Sequence, residues 1–306
     1  MANQEWKNGT VVTEFILLDF GNGPELDCLL FLMFLLIYFV TVTGNTCIVV
    51  LVVVNQHLHT PMYFFLGNLA CLEICYSSSI LPKVVLSYAG GDRRISVSGC
   101  LTQFYFFGCL AAAECYLLAV MSYDRYLAVC EPLHYPSCMD SKLCLRLGAA
   151  SWVLGFLSNS VLMFLISSLE FCGPNEIDHF FCDSFPLMKL SCSDTRLAGF
   201  ATSVVAAVCS LPPFLLTFSS YLYIIVTVVR IPSATGRKKA FSTCSSHLIV
   251  VVLFYWSILA VYVLPYHDTH ILPNKVFSAF YTILTPLVNP LIYSLRNKEI
   301  KKALQK

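Results

Sequence analysis

Two carboxylates stand where carboxylates are costly. Glu73 and Glu114 each lie inside a long apolar run, and a charge placed in hydrocarbon costs at least ~2.5–3.5 kcal/mol. Such a pair suits an acid/base dyad, a proton relay or a cation site, and equally a water-filled polar cluster that holds helices together. The run Cys172-Gly173-Pro174-Asn175-Glu176-Ile177-Asp178-His179-Phe180-Phe181-Cys182-Asp183 offers metal-ligand types in His179, Cys182 and Asp183. Asp124-Arg125-Tyr126 places opposite charges side by side at the end of another apolar run, and as a solvated pair it would be worth little. Asn289-Pro290-Leu291-Ile292-Tyr293 puts proline inside a further run, where it frees a carbonyl that Asn or Tyr can satisfy. His247 reads as a packed or hydrogen-bonded histidine. No nucleophile stands beside a base in a known pattern and no His-Glu-x-x-His occurs, so no enzyme activity, resident metal or cofactor is expected.

The elements that must position these residues follow from composition. Of 306 residues 57% are hydrophobic and 12% charged, about half the charge of a soluble domain at roughly 25%. Net charge is +1 and mean hydropathy +0.72, which excludes a disordered chain and a polybasic nucleic-acid binder. A helix needs ~20 apolar residues to cross the bilayer. Seven segments qualify: Leu26 to Val54, Pro61 to Ser87, Val97 to Val129, Lys142 to Ser168, Leu197 to Val229, Lys238 to Leu264 and Pro273 to Leu295. They lack the alternation of barrel strands, so the fold class is all-α: one seven-transmembrane helix bundle over residues 26–295. Residues 1–25 form the N-terminal segment, with no cleavable-leader pattern, so the first helix is expected to act as its own insertion signal. Residues 296–306 read as a short amphipathic helix and tail. Pro212 and Pro213 predict a kink or unwinding in the fifth span.

Seven crossings put the ends on opposite sides. Lys7, Arg93, Arg94, Lys189, Arg196 and Lys275 fall on the N-terminal side; Arg125, Lys142, Arg146, Arg230, Arg237, Lys238, Lys239, Arg296, Lys298, Lys301, Lys302 and Lys306 fall on the other. The richer side faces the cytosol, which leaves the N-terminus outside with its Asn8-Gly9-Thr10 glycosylation sequon. Of fifteen cysteines, Cys100, Cys172, Cys182 and Cys192 then meet an oxidising compartment. Four cysteines allow three pairings. A cysteine committed to a bridge cannot be a thiolate ligand, so bridges are favoured over a metal.

Seven spans with Asp124-Arg125-Tyr126 and Asn289-Pro290-x-x-Tyr293 resemble the rhodopsin-like G-protein-coupled receptors. The resemblance narrows to the odorant receptors through Leu58-His59-Thr60-Pro61-Met62-Tyr63-Phe64-Phe65-Leu66, Met121 to Cys130, Ser220-Tyr221, Lys239 to Leu248 and Pro286 to Asn297, in the family's order, and the long loop from Glu170 to Arg196 looks like that of the tetrapod type rather than the fish-like type. It implies Cys100–Cys182 and Cys172–Cys192 bridges. It implies that Arg125 holds Asp124 at rest and releases it when the sixth helix swings out, that Tyr221 and Tyr293 turn inward, and that Lys239 and His247 latch the sixth helix to the third. Glu73 replaces the family's more usual aspartate, and Trp256 stands where glycine is usual and is expected to crowd the middle of the sixth helix.

The ligand cavity of such a receptor lies in the outer half, mostly apolar with few polar anchors. Aligning on the motifs places Phe107, Gly108, Ala111, Ala112, Ser158, Thr202, Val205, Ala206, Ile258, Leu259, Tyr262 and Thr282 around it. Amine-binding relatives carry aspartate at the position of Phe107, so a neutral volatile is favoured. The implied partners are that ligand, a stimulatory (olfactory) G protein raising cyclic AMP, and the bilayer of the plasma membrane. A receptor for another small molecule is the alternative. A transporter or channel would show internal repeats or rings of charge, which the sequence lacks.

Overall fold

A computed structural model describes residues 12–18, 24–90, 93–172, 174–263, 271–296 and 300. The chain is a bundle of long helices: α1 (Pro24–Val54), α2 (Pro61–Tyr88), α3 (Val97–Cys130), the single turn α4 (Tyr135–Cys138), α5 (Ser141–Ser167), the short α6 (Ser184–Lys189), α7 (Arg196–Arg230), α8 (Ala234–Ile258), α9 (Ile271–Ala279) and α10 (Thr285–Arg296). Among the described residues six helices are long and apolar enough to cross a membrane, and His247–Tyr262 adds a shorter apolar stretch. Large apolar side chains such as Leu36, Phe39, Phe164 and Phe200 stand exposed, as lipid-facing positions do. Trp256 is 68% exposed. It points out of the bundle and crowds nothing inside it, contrary to the expectation for a bulky residue at a usual glycine.

Helix starts follow local chemistry. Pro61 opens α2 behind the extended Thr60, where a missing N–H is harmless. Ser96 caps α3 by accepting from the Gly99 N–H, and Asp140 caps α5 by accepting from the Leu143 N–H at 2.7 Å. Of the kink or unwinding expected at Pro212 and Pro213, unwinding does not occur, since α7 runs through both. Irregularity falls elsewhere: α8 continues into a π-helical turn over Leu259–Val263, and Phe280–Leu284 forms another between α9 and α10. At the second, the Thr285 N–H and hydroxyl both reach the Phe280 carbonyl five residues back, next to Pro286, which has no N–H to give.

Helices α3 and α5 approach closely at a glycine. A Cβ on Gly155 would lie 2.6 Å from the Cys109 carbonyl oxygen and 2.7 Å from the Ala113 nitrogen, so α5 can sit this near α3 only with glycine there.

One end of the bundle carries a small sheet that composition did not foretell. Strand β1 (Glu14–Leu17) pairs antiparallel with β2 (Arg94–Ser96), with Phe15 opposite Ile95, and parallel with β3 (Glu176–Ile177), with Leu17 beside Ile177. Alternation turns Phe15 and Leu17 inward, fully buried with Phe104, Leu162, Ile166 and Leu187. Cys100 at the start of α3 is bonded to Cys182, and Cys172 to Cys192, so the segment after α5 is tied down across the sheet-capped end.

Candidate functional site

Beneath that cap lies a cavity partly open to solvent. Its walls come from α3 (Phe104, Phe107, Gly108, Ala111, Ala112, Cys115), α5 (Asn159, Leu162), α7 (Thr202, Val205, Ala206, Cys209, Ser210) and the sixth span (Ile258, Tyr262), with Asp183 and Ser184 from the loop above. Glycine and alanine on α3 and α7 leave the volume; Phe104, Phe107, Leu162 and Ile258 make it apolar. Asn159 donates through Nδ2 to the Gly108 carbonyl at 2.9 Å, and a Cβ on Gly108 would collide with the Asn159 side chain.

The polar edge is a chain of three residues. The Tyr262 hydroxyl donates to Asp183 Oδ2 at 2.9 Å and shares a 2.9 Å hydrogen bond with the Tyr281 hydroxyl. Each tyrosine sits in one of the two π-helical turns, a distortion frequent at functional sites. Asp183 Oδ1 accepts from the Ser184 N–H at 2.7 Å. Burial raises the Asp183 carboxyl to about 6, opposed by those hydrogen bonds. Close by, Lys275 is buried, 2.5 Å from Asp178 and 3.2 Å from the Leu18 carbonyl. His179 stacks on Phe180 and meets Phe181 edge-on. Burial, then the charge of Lys275, lowers it to about 3.

In the bundle centre Glu73 and Glu114 are fully buried. Asn289 donates through Nδ2 to Glu73 Oε1. Glu73 Oε2 and both Glu114 oxygens have no hydrogen-bond partner among the described residues, although the two carboxyls lie within electrostatic range. Asn45 bridges the Thr41 and Pro286 carbonyls, and Pro290 packs against Gly44.

At the far end Arg125 clasps its neighbour: Nε and Nη2 lie 3.0 and 2.5 Å from Asp124 Oδ2. Asp124 Oδ1 accepts from the Tyr135 hydroxyl at 2.8 Å. Tyr221 and His247 Nδ1 are 2.6 Å apart, which bonds α7 to α8, and Tyr126 meets Tyr223 edge-on.

The chain matches the family model described as olfactory receptor over residues 34–306. The chain belongs to the olfactory receptor family. Human olfactory receptor 11A1 is 48% identical over 295 residues, 96% of this chain and 93% of that one. Mouse olfactory receptor 5AP2 is 45% identical, with 98% and 95% covered, and human olfactory receptor 6P1 is 49% identical, with 98% and 94% covered. This olfactory receptor is therefore a multi-pass, odorant-sensing G-protein-coupled receptor and not an enzyme.

In this olfactory receptor nine of the expected pocket residues line the cavity: Phe107, Gly108, Ala111, Ala112, Thr202, Val205, Ala206, Ile258 and Tyr262. Three do not. Ser158 turns back to donate to the Gly155 carbonyl at 3.0 Å, and its neighbour Asn159 takes the wall. Leu259 opens the π-helical turn, whose extra residue per turn redirects the side chains after Ile258. Thr282 is spent on the Ser278 carbonyl at 2.6 Å. Glu73 and Glu114, which as a polar cluster could meet directly or through water or a cation, form no direct hydrogen bond with each other, and Asn289 takes one oxygen of Glu73. The metal reading also gives way: Cys182 is bridged, Asp183 is hydrogen-bonded, and no metal-holding group of side chains occurs among the described residues. Asn8, most of the amphipathic C-terminal segment, and the side chains of Lys239 and Tyr293 lie outside the described residues.

Sequence reasoning missed eight lining residues: Phe104, Cys115, Asn159, Leu162, Asp183, Ser184, Cys209 and Ser210. The signal for Asp183 was present: it follows Cys182, whose bridge to the head of α3 must hold the next residue over the bundle. Asn159 follows Gly155 by one helical turn and so shares the face that packs on α3.

Proposed function

We propose that this receptor binds a small neutral volatile in the cavity under the sheet and activates a stimulatory, olfactory-type G protein, raising cyclic AMP. It does so from the plasma membrane, with the sheet-capped end outside and Asn8 available for glycosylation. The observation that carries the reading is the cavity itself: apolar walls with one polar edge, Tyr262 on Asp183, suit an apolar molecule bearing a single hydrogen-bonding group. Such a ligand would exchange hydrogen bonds with Tyr262 and thereby act on the π-helical turn of the sixth span. The latched Arg125–Asp124 pair at the other end is what activation must open.

One observation favours a second ligand class. Asp183 is buried and pairs with no cation among the described residues, so an ammonium ligand would supply the missing charge although α3 carries Phe107. A panel of matched alcohols, ketones and amines, read by cyclic AMP in cells with and without the stimulatory G protein, tests both. Responses to alcohols or ketones that vanish without the G protein support the first reading. Responses to amines alone replace it with the second, and silence to all three classes defeats both.

A further inference from the structure

Two tyrosine–serine pairs stand on the flanks of the bundle. Tyr105 on α3 shares a 3.2 Å hydrogen bond with Ser160 on α5, and Tyr38 on α1 shares one of 3.2 Å with Ser78 on α2. Both bonds are exposed, and in hydrocarbon a polar group with unmet hydrogen-bonding capacity is costly. The first pair stands among aromatic rings. Tyr105, Phe106 and Phe156 meet edge-on, with ring centroids 5.7, 6.2 and 6.4 Å apart, and Phe106 is 45% exposed. We propose that Tyr105 and Ser160 seat the hydroxyl of a membrane sterol, whose flat ring system lies against Phe106, Phe156 and the lipid-facing side of α5.

The pair is left able only to accept. Ser160 donates to the Phe156 carbonyl at 2.9 Å, so Tyr105 is the donor of the shared bond. With both protons spent, lone pairs on the two oxygens face the lipid, and a guest must bring its own donor. Acyl chains have none. A sterol has one hydroxyl at the end of a rigid apolar body, which loses little conformational freedom on binding. Toward the middle of α5 that body meets Leu157 and Val153, exposed at 61% and 55%.

Depth separates the two pairs. With α3 (Val97–Cys130) centred in the bilayer, Tyr105 lies about eight residues, or ~13 Å, from the midplane, against a hydrocarbon half-thickness of ~15 Å. Its hydroxyl therefore sits just inside the headgroup boundary, where an amphiphile with a single hydroxyl keeps its polar end. Tyr38 falls at the middle of α1 (Pro24–Val54), a depth a sterol hydroxyl would reach only by giving up water altogether, and it serves as the control. The assignment needs only that the chain spans a membrane; it depends neither on the ligand in the cavity nor on the G protein.

The experiment is photolabelling. Purified full-length receptor in phosphatidylcholine nanodiscs is irradiated with a sterol probe that keeps its 3β-hydroxyl and carries a diazirine on the ring system, and labelled peptides are mapped by mass spectrometry. Label is expected on the α3 and α5 peptides that hold Phe106 and Leu157. Excess cholesterol should displace it, and cholestenone, whose ketone cannot donate, should do so about threefold to tenfold less well, the range for one lost hydrogen bond. Tyr105→Phe keeps the ring but removes the accepting oxygen and should lower labelling by a similar factor, while Tyr38→Phe leaves it unchanged. Should Tyr105→Phe fail to fold, Phe106→Ala, which removes a lipid-facing ring, carries the same expectation. Label confined to other helices, equal displacement by the ketone, or full labelling in the Tyr105→Phe or Phe106→Ala variant overturns the site.

Discussion

Tyr262 donates its hydroxyl to Asp183 at 2.9 Å, a bond that ties the π-helical turn of the sixth span to a loop held from the other side by the Cys100–Cys182 bridge. The ligand cavity therefore has a roof whose geometry is set by covalent and hydrogen-bonded contacts together. A ligand that competes for Tyr262 acts on the roof and on the helix at once.

The charge of Asp183 gives that roof a pH dependence. Its folded pKa is raised from 3.8 to about 6, so its contribution is fully favourable below 3.8 and is lost as pH rises through 6, on the order of 2–3 kcal/mol for a buried group. His179 acts in the opposite sense: lowered from 6.5 to about 3, it adds stability as pH rises through that window. Asp183→Asn removes only the first effect. The melting-temperature difference, variant minus parent, should therefore increase between pH 4 and 6.5 in thermal unfolding of the purified receptor. A difference flat across that range refutes the assignment.

The bridge that positions Asp183 is expected to be indispensable. Cys100→Ser or Cys182→Ser should abolish surface expression, since losing a native disulfide costs ~2–5 kcal/mol. Non-reduced peptide mapping that links Cys100 to Cys172 or Cys192 would count decisively against the arrangement.

Close helix approach supplies a steric test. Gly155→Ala pushes a methyl group into the α3 backbone and should cost ~1–3 kcal/mol by overpacking, seen as a lower melting temperature. Gly67→Ala meets only Val52 Cγ1 at 3.6 Å and serves as the neutral control. Equal melting temperatures would mean that α5 sits farther from α3.

The cavity itself is tested by filling it. Ala112→Leu and Ala206→Leu each project a larger side chain into the space and should abolish responses to bulky ligands at unchanged surface density. Identical dose–response curves in both variants would move the ligand elsewhere.

Much of this architecture was legible in the residues because the bilayer imposes strong rules. Long apolar runs had to be helices, and the first five expected spans begin and end within two residues of α1, α2, α3, α5 and α7, whereas the sixth and seventh fall on helices joined to π-helical turns. The sheet was not legible, since Glu14–Leu17 is too short to stand out and pairs only after the loops are brought together. Ser158, Leu259 and Thr282 were misplaced for related reasons. A motif alignment gives position along a helix, but a π-helical turn or one residue of rotation decides which side chain meets the cavity. Asp183 shows the reverse case, a loop residue whose place was implied by a bridge and went unread.

Coupling separates a receptor from any other helical bundle. Agonist and G protein must each favour the open state, and reciprocity makes each raise the affinity of the other, typically by ~1–3 kcal/mol. The element proposed to have two states is Arg125. Here it is held by Asp124, which is itself buried and held by Tyr135, while the Tyr221–His247 bond joins α7 to α8 alongside. Opening frees the guanidinium, and the cleft between α3 and α8 can receive a helix of the G protein. Arg125→Ala leaves Asp124 its Tyr135 hydrogen bond and removes no cavity wall. The variant should reach the surface and bind ligand, yet lose the cyclic AMP response and the G-protein-dependent gain in agonist affinity. Ligand-binding curves with and without G protein, measured beside surface density, decide the matter: a variant that signals fully sinks this mechanism.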